Sequence, residues 1–174
     1  MAGSLIKIDE EIVSSAVASV TLGGSNWDSS YNVYVVQVNN MTPSTNQTEP
    51  RMRFQASSTD DTSANYDRAV KFLYTASTFL NQSSTNQTYL KIGANIGTAT
   101  SQSYNGTFYL FNFNNSSEYS FITFEPTQLD NTNGGWGGMG GGVLTVAQAT
   151  NGITIFQSSG NIASGTFTLY GLKK

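Results

Sequence analysis

Two short segments of the sequence share one alternating pattern. Gly106–Phe111 reads G-T-F-Y-L-F and Gly165–Tyr170 reads G-T-F-T-L-Y, so both follow G-T-F-x-L-aromatic. In each segment Phe and Leu occupy alternate positions, with Thr or another aromatic residue between them. A period of two residues is typical of a β-strand that has one buried face. Both segments are therefore predicted to be strands that place their Phe and Leu side chains in one core.

The same alternation recurs along the chain and predicts further strands. Tyr31–Asn39 is rich in Val and Tyr, which favour a packed pleated surface, and Arg51–Ala56 alternates apolar with polar residues. Tyr119–Glu125 follows the first shared segment after a polar turn, so the two are predicted to form a hairpin at the centre of the core. The pattern as a whole predicts an all-β fold, an antiparallel, jelly-roll-like β-sandwich of about nine or ten strands.

Some segments have less decisive patterns. In Tyr66–Phe79 the spacing of Ala69, Val70, Leu73 and Ala76 is compatible with a helix, but the aromatic and β-branched residues favour a strand at Ala69–Thr75. Asn81–Thr88 and Met41–Pro50 are predicted to be loops from their polar and Pro content. Asp9–Glu11 is interpreted as a charged turn in preference to a pair of catalytic carboxylates.

The length of the chain is that of one domain. A single β-sandwich domain is predicted over residues 1–174, in which residues 1–15 either begin the sandwich or form an extended arm. The sequence does not open with a basic segment and a long apolar run, so we expect no signal peptide. No apolar stretch reaches the roughly 20 residues that cross a bilayer, so we expect no membrane insertion.

The composition argues against several classes of function. Cys and His are both absent, which removes thiol nucleophiles, disulfides, and the commonest general base and metal ligand. The 8 basic and 11 acidic residues give a net charge of −3 and form no basic stripe for nucleic acid. Glu118 and Glu125 would lie about 23 Å apart on a straight strand, too far for a glycosidase pair. We expect a protein that is not an enzyme, without catalytic residues, metal, cofactor or nucleic-acid partner.

A glycine-rich segment lies in the last third of the chain. Asn133–Gly142 reads N-G-G-W-G-G-M-G-G-G and continues into V-L-T-V, without the helix and Lys of a phosphate-binding loop. It is predicted to be a flexible loop that displays Trp136 and Met139. Large apolar side chains on such a loop are candidate partner contacts, and the alternative is that they fold back over the core. Trp27, in the polar loop Gly24–Ser30, is a third candidate contact.

Four stretches of the sequence resemble a family of short virion proteins from tailed bacteriophages of marine bacteria, including cyanobacteria. They are Asn32–Asn39 (N-V-Y-V-V-Q-V-N), Asn65–Ala69 (N-Y-D-R-A), Asn114–Phe121 (N-N-S-S-E-Y-S-F) and Ser158–Leu172 (S-S-G-N-I-A-S-G-T-F-T-L-Y-G-L). The last stretch is the most specific part of the resemblance. The resemblance implies a virion structural, capsid-surface or tail-fibre-like protein, and it implies no catalytic residue.

These observations lead to two main hypotheses. In the first, the chain is a capsid decoration or cement protein, a homotrimer that stabilises the particle by inter-subunit contacts through Trp27, Trp136 and Met139. Its partners would be the major capsid protein or tail proteins, and its location the particle surface, after synthesis in the host cytoplasm. In the second, it is a tail or tail-fibre-tip module that binds a host surface glycan or receptor, with exposed aromatic rings stacking on sugars.

Overall fold

The structure is a computed structural model that describes residues 4–75, 79–132 and 134–173. These residues form thirteen β-strands and one short 3-10 helix, Gly24–Asn26. The all-β fold predicted from the sequence is confirmed. The strands are β1 (Ser4–Val13), β2 (Ser19–Gly23), β3 (Val33–Pro43), β4 (Pro50–Ala56), β5 (Thr59–Asp60), β6 (Tyr66–Tyr74), β7 (Leu80–Gln87), β8 (Leu90–Lys91), β9 (Tyr104–Phe111), β10 (Ser120–Leu129), β11 (Gly135–Leu144), β12 (Gly152–Gln157) and β13 (Ile162–Lys173).

The strands form two antiparallel sheets that pack as a sandwich. The larger sheet has eight strands in the order β1-β13-β3-β9-β10-β11-β6-β7. The smaller sheet has the order β2-β12-β4-β5, and β8 also pairs with β4. Leu22, Phe54 and Ile155 of the smaller sheet and Phe108 and Phe124 of the larger sheet are buried in the same hydrophobic core. The predicted β-sandwich is therefore confirmed.

Eight of the strands pair in a nested order. β1 pairs with β13, β2 with β12, β3 with β9 and β4 with β8, all antiparallel. Successive pairs belong alternately to the larger and the smaller sheet. Pairing of β13 with β3 and of β12 with β4 joins them into the orders β1-β13-β3-β9 and β2-β12-β4-β8. This wrapped hairpin of eight strands is the framework of a jelly roll.

The remaining strands are additions to this framework, and four of them extend the larger sheet. β6 and β7 are inserted between β4 and β8, while β10 and β11 are inserted between β9 and β12. Together they continue the sheet beyond β9 in the order β10-β11-β6-β7. The predicted hairpin of β9 and β10 is confirmed, and it occupies the two middle positions of the eight-stranded sheet.

The two segments that share the G-T-F-x-L-aromatic pattern lie on either side of β3. Val36 of β3 pairs with Phe108 of β9 on one side and with Leu169 of β13 on the other. All three side chains are fully buried, as are Leu110 and Phe167. The shared pattern therefore has the same structural role in both strands: its Phe and Leu side chains fill the core beside the valine-rich strand β3.

Tyr66–Tyr74 forms β6, so the strand interpretation of this region is confirmed over the helix. Residues 76–78 of the ambiguous segment, including Ala76, lie outside the described residues. The loop predicted at Asn81–Thr88 is wrong, because most of it belongs to β7. This strand lies at the edge of the sheet, where its side chains meet solvent and packing imposes no apolar alternation.

The predictions for the start of the chain also need correction. Asp9–Glu11 is not a turn but part of β1, which shifts register between Lys7 and Asp9 as it runs along β13. The Asp9 carboxylate accepts hydrogen bonds from the backbone N–H groups of Glu10 and Gly23, so it ties β1 to β2. Residues 4–13, for which an extended arm was one alternative, are a paired strand of the larger sheet. β3 continues to Pro43, so the loop predicted from Met41 begins later.

The glycine-rich segment is not a flexible loop. Residues 135–144 form β11, which pairs with β10 on one side and with β6 on the other. A methyl group at Gly140 would come within 2.8 Å of the Ala69 carbonyl oxygen, and one at Gly142 within 2.7 Å of Leu90. These positions therefore accept only glycine without a shift of their neighbours. Asn133, the first residue of the predicted loop, lies outside the described residues.

Candidate functional site

Trp27, the first of the three predicted contact residues, covers part of the core. Its ring centroid lies 4.0 Å from that of Tyr34 and 5.5 Å from that of Phe113. The indole N–H donates a hydrogen bond to the side-chain oxygen of Asn114. The Asn114 amide in turn donates to the Tyr34 hydroxyl over 2.7 Å. Trp27 is half-buried and fixed by these contacts, and its role in binding a partner stays a prediction.

Trp136 is likewise half-buried and packs against the core. Its ring stacks on Tyr74 with 4.1 Å between centroids and meets the edge of Phe72 at 5.7 Å. The indole N–H donates to Oδ2 of Asp130 over 3.1 Å, and the Tyr74 hydroxyl donates to the same oxygen over 3.0 Å. The Trp136 ring is therefore held against β6 rather than displayed on a loop.

Asp130 organises the turn between β10 and β11. Its Oδ1 accepts hydrogen bonds from the backbone N–H groups of Thr132 and Gly134 and from the Thr132 hydroxyl. Burial raises the pKa of this carboxyl, but the hydrogen bonds from Trp136, Thr132 and Gly134 outweigh burial and hold its pKa well below the usual range. Asp130 therefore stays ionised near neutral pH and stabilises the turn together with the Trp136 and Tyr74 rings.

Met139 differs from the two Trp residues because it points to solvent. Its side chain is 62% exposed, whereas Trp136, three positions earlier on the same strand, packs against the core. Successive side chains of a strand point to opposite faces, so an odd separation places these two residues on opposite sides of the sheet. They are not anchors of one loop. Contact of either residue with a partner stays a prediction.

Met139 lies among several exposed apolar side chains on the solvent side of the larger sheet. Tyr109 is 42% exposed, Phe121 43%, Leu73 50% and Phe79 61%. We call the surface formed by Tyr109, Phe121, Met139, Leu73 and Phe79 the outer face. The sequence offered one signal for it, which is that Tyr109 and Phe121 alternate out of phase with the core residues of β9 and β10. β1, at the sheet edge, also exposes apolar side chains, among them Leu5 and Ile12.

Two smaller hollows of the outer face adjoin Met139 itself, one towards Lys71 and one towards Tyr109. Two larger hollows lie one on each side of Met139 along β11. The first has a volume of about 600 Å³ and lies over Gly137, next to Leu73 and Thr127. The second has a volume of about 490 Å³ and lies over Gly141, next to Phe121. Because glycine has no side chain, the backbone of β11 forms the floor of both hollows. Met139 therefore stands as a single apolar projection between two depressions.

The solvent side of the smaller sheet has a different character. The Arg51 guanidinium lies 4.1 Å from the ring centroid of Tyr89, and that of Arg53 lies 4.7 Å from the ring centroid of Phe156. Each Arg also has a carboxylate within 4.0 Å. The aromatic rings on this side are thus covered by charged groups of the chain itself. The rings and aliphatic groups of the outer face are mostly uncovered.

The described ranges contain no group of three or more His, Cys, Asp or Glu residues placed to hold a metal ion. Glu118 lies in the turn before β10 and Glu125 in the middle of β10. Among all the described residues, no helix has the length and apolar character needed to cross a membrane. The outer face is the candidate functional site because it brings together large exposed apolar side chains, and the chemistry that it offers is apolar contact.

Comparison with known proteins does not place the chain in a family. No protein-family model matches it, and no curated protein matches it. A fructofuranosidase from Schwanniomyces occidentalis complexed with fructosylnystose is 8% identical, over 98% of this chain and 34% of that chain, with a TM-score of 0.28. The Clostridium perfringens CspB protease is 10% identical, over 89% of this chain and 24% of that chain, with a TM-score of 0.17. The chain spans a minor part of both proteins, and neither similarity is strong enough to support an argument.

Proposed function

We propose that the chain is a non-enzymatic structural protein of a bacteriophage particle, a capsid decoration protein that stabilises the particle through contacts between subunits. The outer face is the observation on which this proposal rests. Single apolar residues on a protein surface are ordinary, but a contiguous group of large apolar side chains is typical of an interaction site. Burial of Tyr109, Phe121, Met139 and Leu73 against another subunit would remove them from water.

Two further observations support the proposal. The eight-stranded jelly-roll framework is an architecture that viral capsid proteins use, although lectin domains and other proteins use it too. Ser158–Leu172, the stretch that most specifically resembles virion proteins, contains most of β13, which lies between β1 and β3 in the larger sheet. This stretch therefore belongs to the framework of the fold, whereas the resembling stretches Asn65–Ala69 and Asn114–Phe121 reach into the added strands β6 and β10.

The proposal is tested by the presence and copy number of the chain in purified phage particles. Quantitative mass spectrometry would compare its abundance with that of the major capsid protein. We expect a copy number of the same order as that of the capsid protein. Absence from intact particles would overturn the proposal, and a few copies per particle would favour a tail location.

A pair of variants tests whether the outer face makes the contact. Met139→Glu places a charge at the centre of the outer face, and we expect it to prevent incorporation into particles. Ser19→Glu adds the same charge on β2, at an exposed position of the smaller sheet, and we expect normal incorporation. Equal incorporation of the two variants would exclude the outer face as the docking surface.

The alternative function is a tail or tail-fibre-tip module that binds a host surface glycan. The hollow over Gly137 favours it, because Ser103, Asn105 and Thr127 bring hydroxyl and amide groups beside the apolar Leu73. Sugars present hydroxyl groups and apolar ring faces, and such a mixed surface can bind both. Saturation of host cells with the purified protein should then block phage adsorption. Undiminished adsorption would count against this alternative.

A further inference from the structure

Opposite charges flank the centre of the outer face. Met139 of β11 pairs with Lys71 of β6. On the other side of β11, Phe124 pairs with Gly140, so the next residue of β10, Glu125, lies beside Met139. Lys71, Met139 and Glu125 are all exposed and therefore project from the same side of the sheet. Lys71 and Glu125 are two strands apart, at a backbone separation of about 10 Å.

Neither of these charges belongs to an ion pair among the residues that the structure describes. Within residues 4–75, 79–132 and 134–173, the cations that pair with carboxylates are Lys7, Arg51, Arg53 and Lys91. The Lys71 ammonium instead lies 4.4 Å from the ring centroid of Phe79. Both charged groups are thus available to a partner that offers the opposite charge at each position.

We infer that the outer face binds a second copy of this chain, related by a two-fold axis that runs parallel to β11 above Met139. Rotation about this axis exchanges the two sides of β11. Lys71 of each copy then lies opposite Glu125 of the other, so two ion pairs flank the contact between the Met139 side chains. The inference rests on the proposed function only in that both assign contacts between subunits to the outer face.

The positions of the charges select this axis over an axis that crosses the strands. Rotation about a crossing axis places each strand opposite its own copy, so Lys71 of β6 never meets Glu125 of β10. It can bring Lys71 opposite Asp67 of β6, but the register then puts Glu125 opposite Phe121. A carboxylate buried against an apolar ring without a partner is costly. The parallel axis pairs Glu125 with Lys71 and places Phe121 opposite Asp67, whose carboxylate already accepts a hydrogen bond from the Asn86 backbone N–H.

The shape of the surface is compatible with the same arrangement. Two sheets that pack face to face lie about 10 Å apart, with side chains interdigitating between them. Met139 projects from each copy, and the hollows between Met139 and Lys71 and between Met139 and Tyr109 offer space on either side of the axis for the partner's methionine. Methionine is flexible enough to adapt to such a space. Projection and hollow are thus provided by one and the same surface, as a two-fold contact requires.

Charge reversal tests the pairing directly. Lys71→Glu or Glu125→Lys alone would place like charges opposite each other at two points, and we expect each to weaken self-association about tenfold or more at low salt. The double variant restores opposite charges, and we expect it to associate like the original chain. Glu118→Lys makes the same change as Glu125→Lys at an exposed turn outside the outer face, and should have no effect. Sedimentation equilibrium measures the dissociation constants of the unaltered chain and of the four variants.

Rescue by the double variant would support the two-fold pairing. Only a second copy of the same variant carries both reversed charges, so no unrelated partner could restore the ion pairs. An unaltered chain that stays monomeric at every soluble concentration, or a double variant as weak as the single ones, would overturn the inference. The trimer expected from the sequence needs head-to-tail contacts between different patches, so a trimer without rescue would also overturn it. Particle localisation is a separate result: a dimer that is absent from particles would overturn the virion role alone.

Discussion

The burial of Phe167 gives the sharpest test of the fold. Its side chain is fully buried in β13, between β1 and β3. Phe167→Ala removes the ring from the core and leaves a cavity that the two packed sheets can close only in part, which costs about 3–5 kcal/mol. A domain has a total stability of about 5–15 kcal/mol, so this single change would remove a large fraction of it.

Phe121→Ala is the matched control, because it makes the same chemical change on the opposite face of the same sheet. Phe121 is 43% exposed, so we expect a loss below about 1 kcal/mol. Urea unfolding at low protein concentration, where self-association makes no contribution, measures both free energies. We expect Phe167→Ala also to lower the melting temperature by roughly 2–4 °C per kcal/mol. Equal losses in the two variants, or no loss in Phe167→Ala, would refute the assignment of the faces.

Three further predictions concern the glycine-rich strand and two buried polar groups. Gly140→Ala should destabilise the protein by about 1–3 kcal/mol, whereas Gly141→Ala, whose methyl group would face the open side, should be nearly neutral in the same unfolding assay. Asp130→Asn should cost about 1–3 kcal/mol at neutral pH; because the folded pKa is lowered, this difference should shrink in unfolding curves recorded below about pH 4. Tyr66→Phe leaves the buried Phe54 N–H without its acceptor and should also cost about 1–3 kcal/mol, with unchanged stability refuting that hydrogen bond.

The sequence predicts strands well where one face is buried and the other is wet. β9, β10 and β13 are such strands, and their alternation was sufficient to place them and to pair the hairpin. β7 escaped prediction because neither of its faces is deeply buried, so its polar residues follow no period. The sequence predicted the jelly-roll-like fold class but not the nested strand order. Alternation within a strand contains no information about which strand lies beside it.

β11 shows why composition misled the prediction of the candidate site. A run of glycines has no side chains to alternate, so it is indistinguishable from a flexible loop. The reason for its glycines lies in distant segments, because Ala69 and Leu90 leave no space beside Gly140 and Gly142. Trp136 was selected for its size, but its partner Tyr74 is more than sixty positions away. The sequence thus identified unusual residues without revealing which face each of them occupies.

Most of the exposed apolar residues of the outer face belong to strands that are inserted into the eight-stranded framework. Met139, Phe121 and Leu73 belong to β11, β10 and β6, all of which lie outside the eight-stranded framework. Because these side chains point away from the core, polar residues at the same positions would leave its packing intact. Folding alone therefore does not explain why they are apolar, and leaving them in water is unfavourable. Burial in the proposed assembly would account for both their character and their position: the framework provides the fold, and the added strands, together with Tyr109 of β9, would provide the surface for a second subunit.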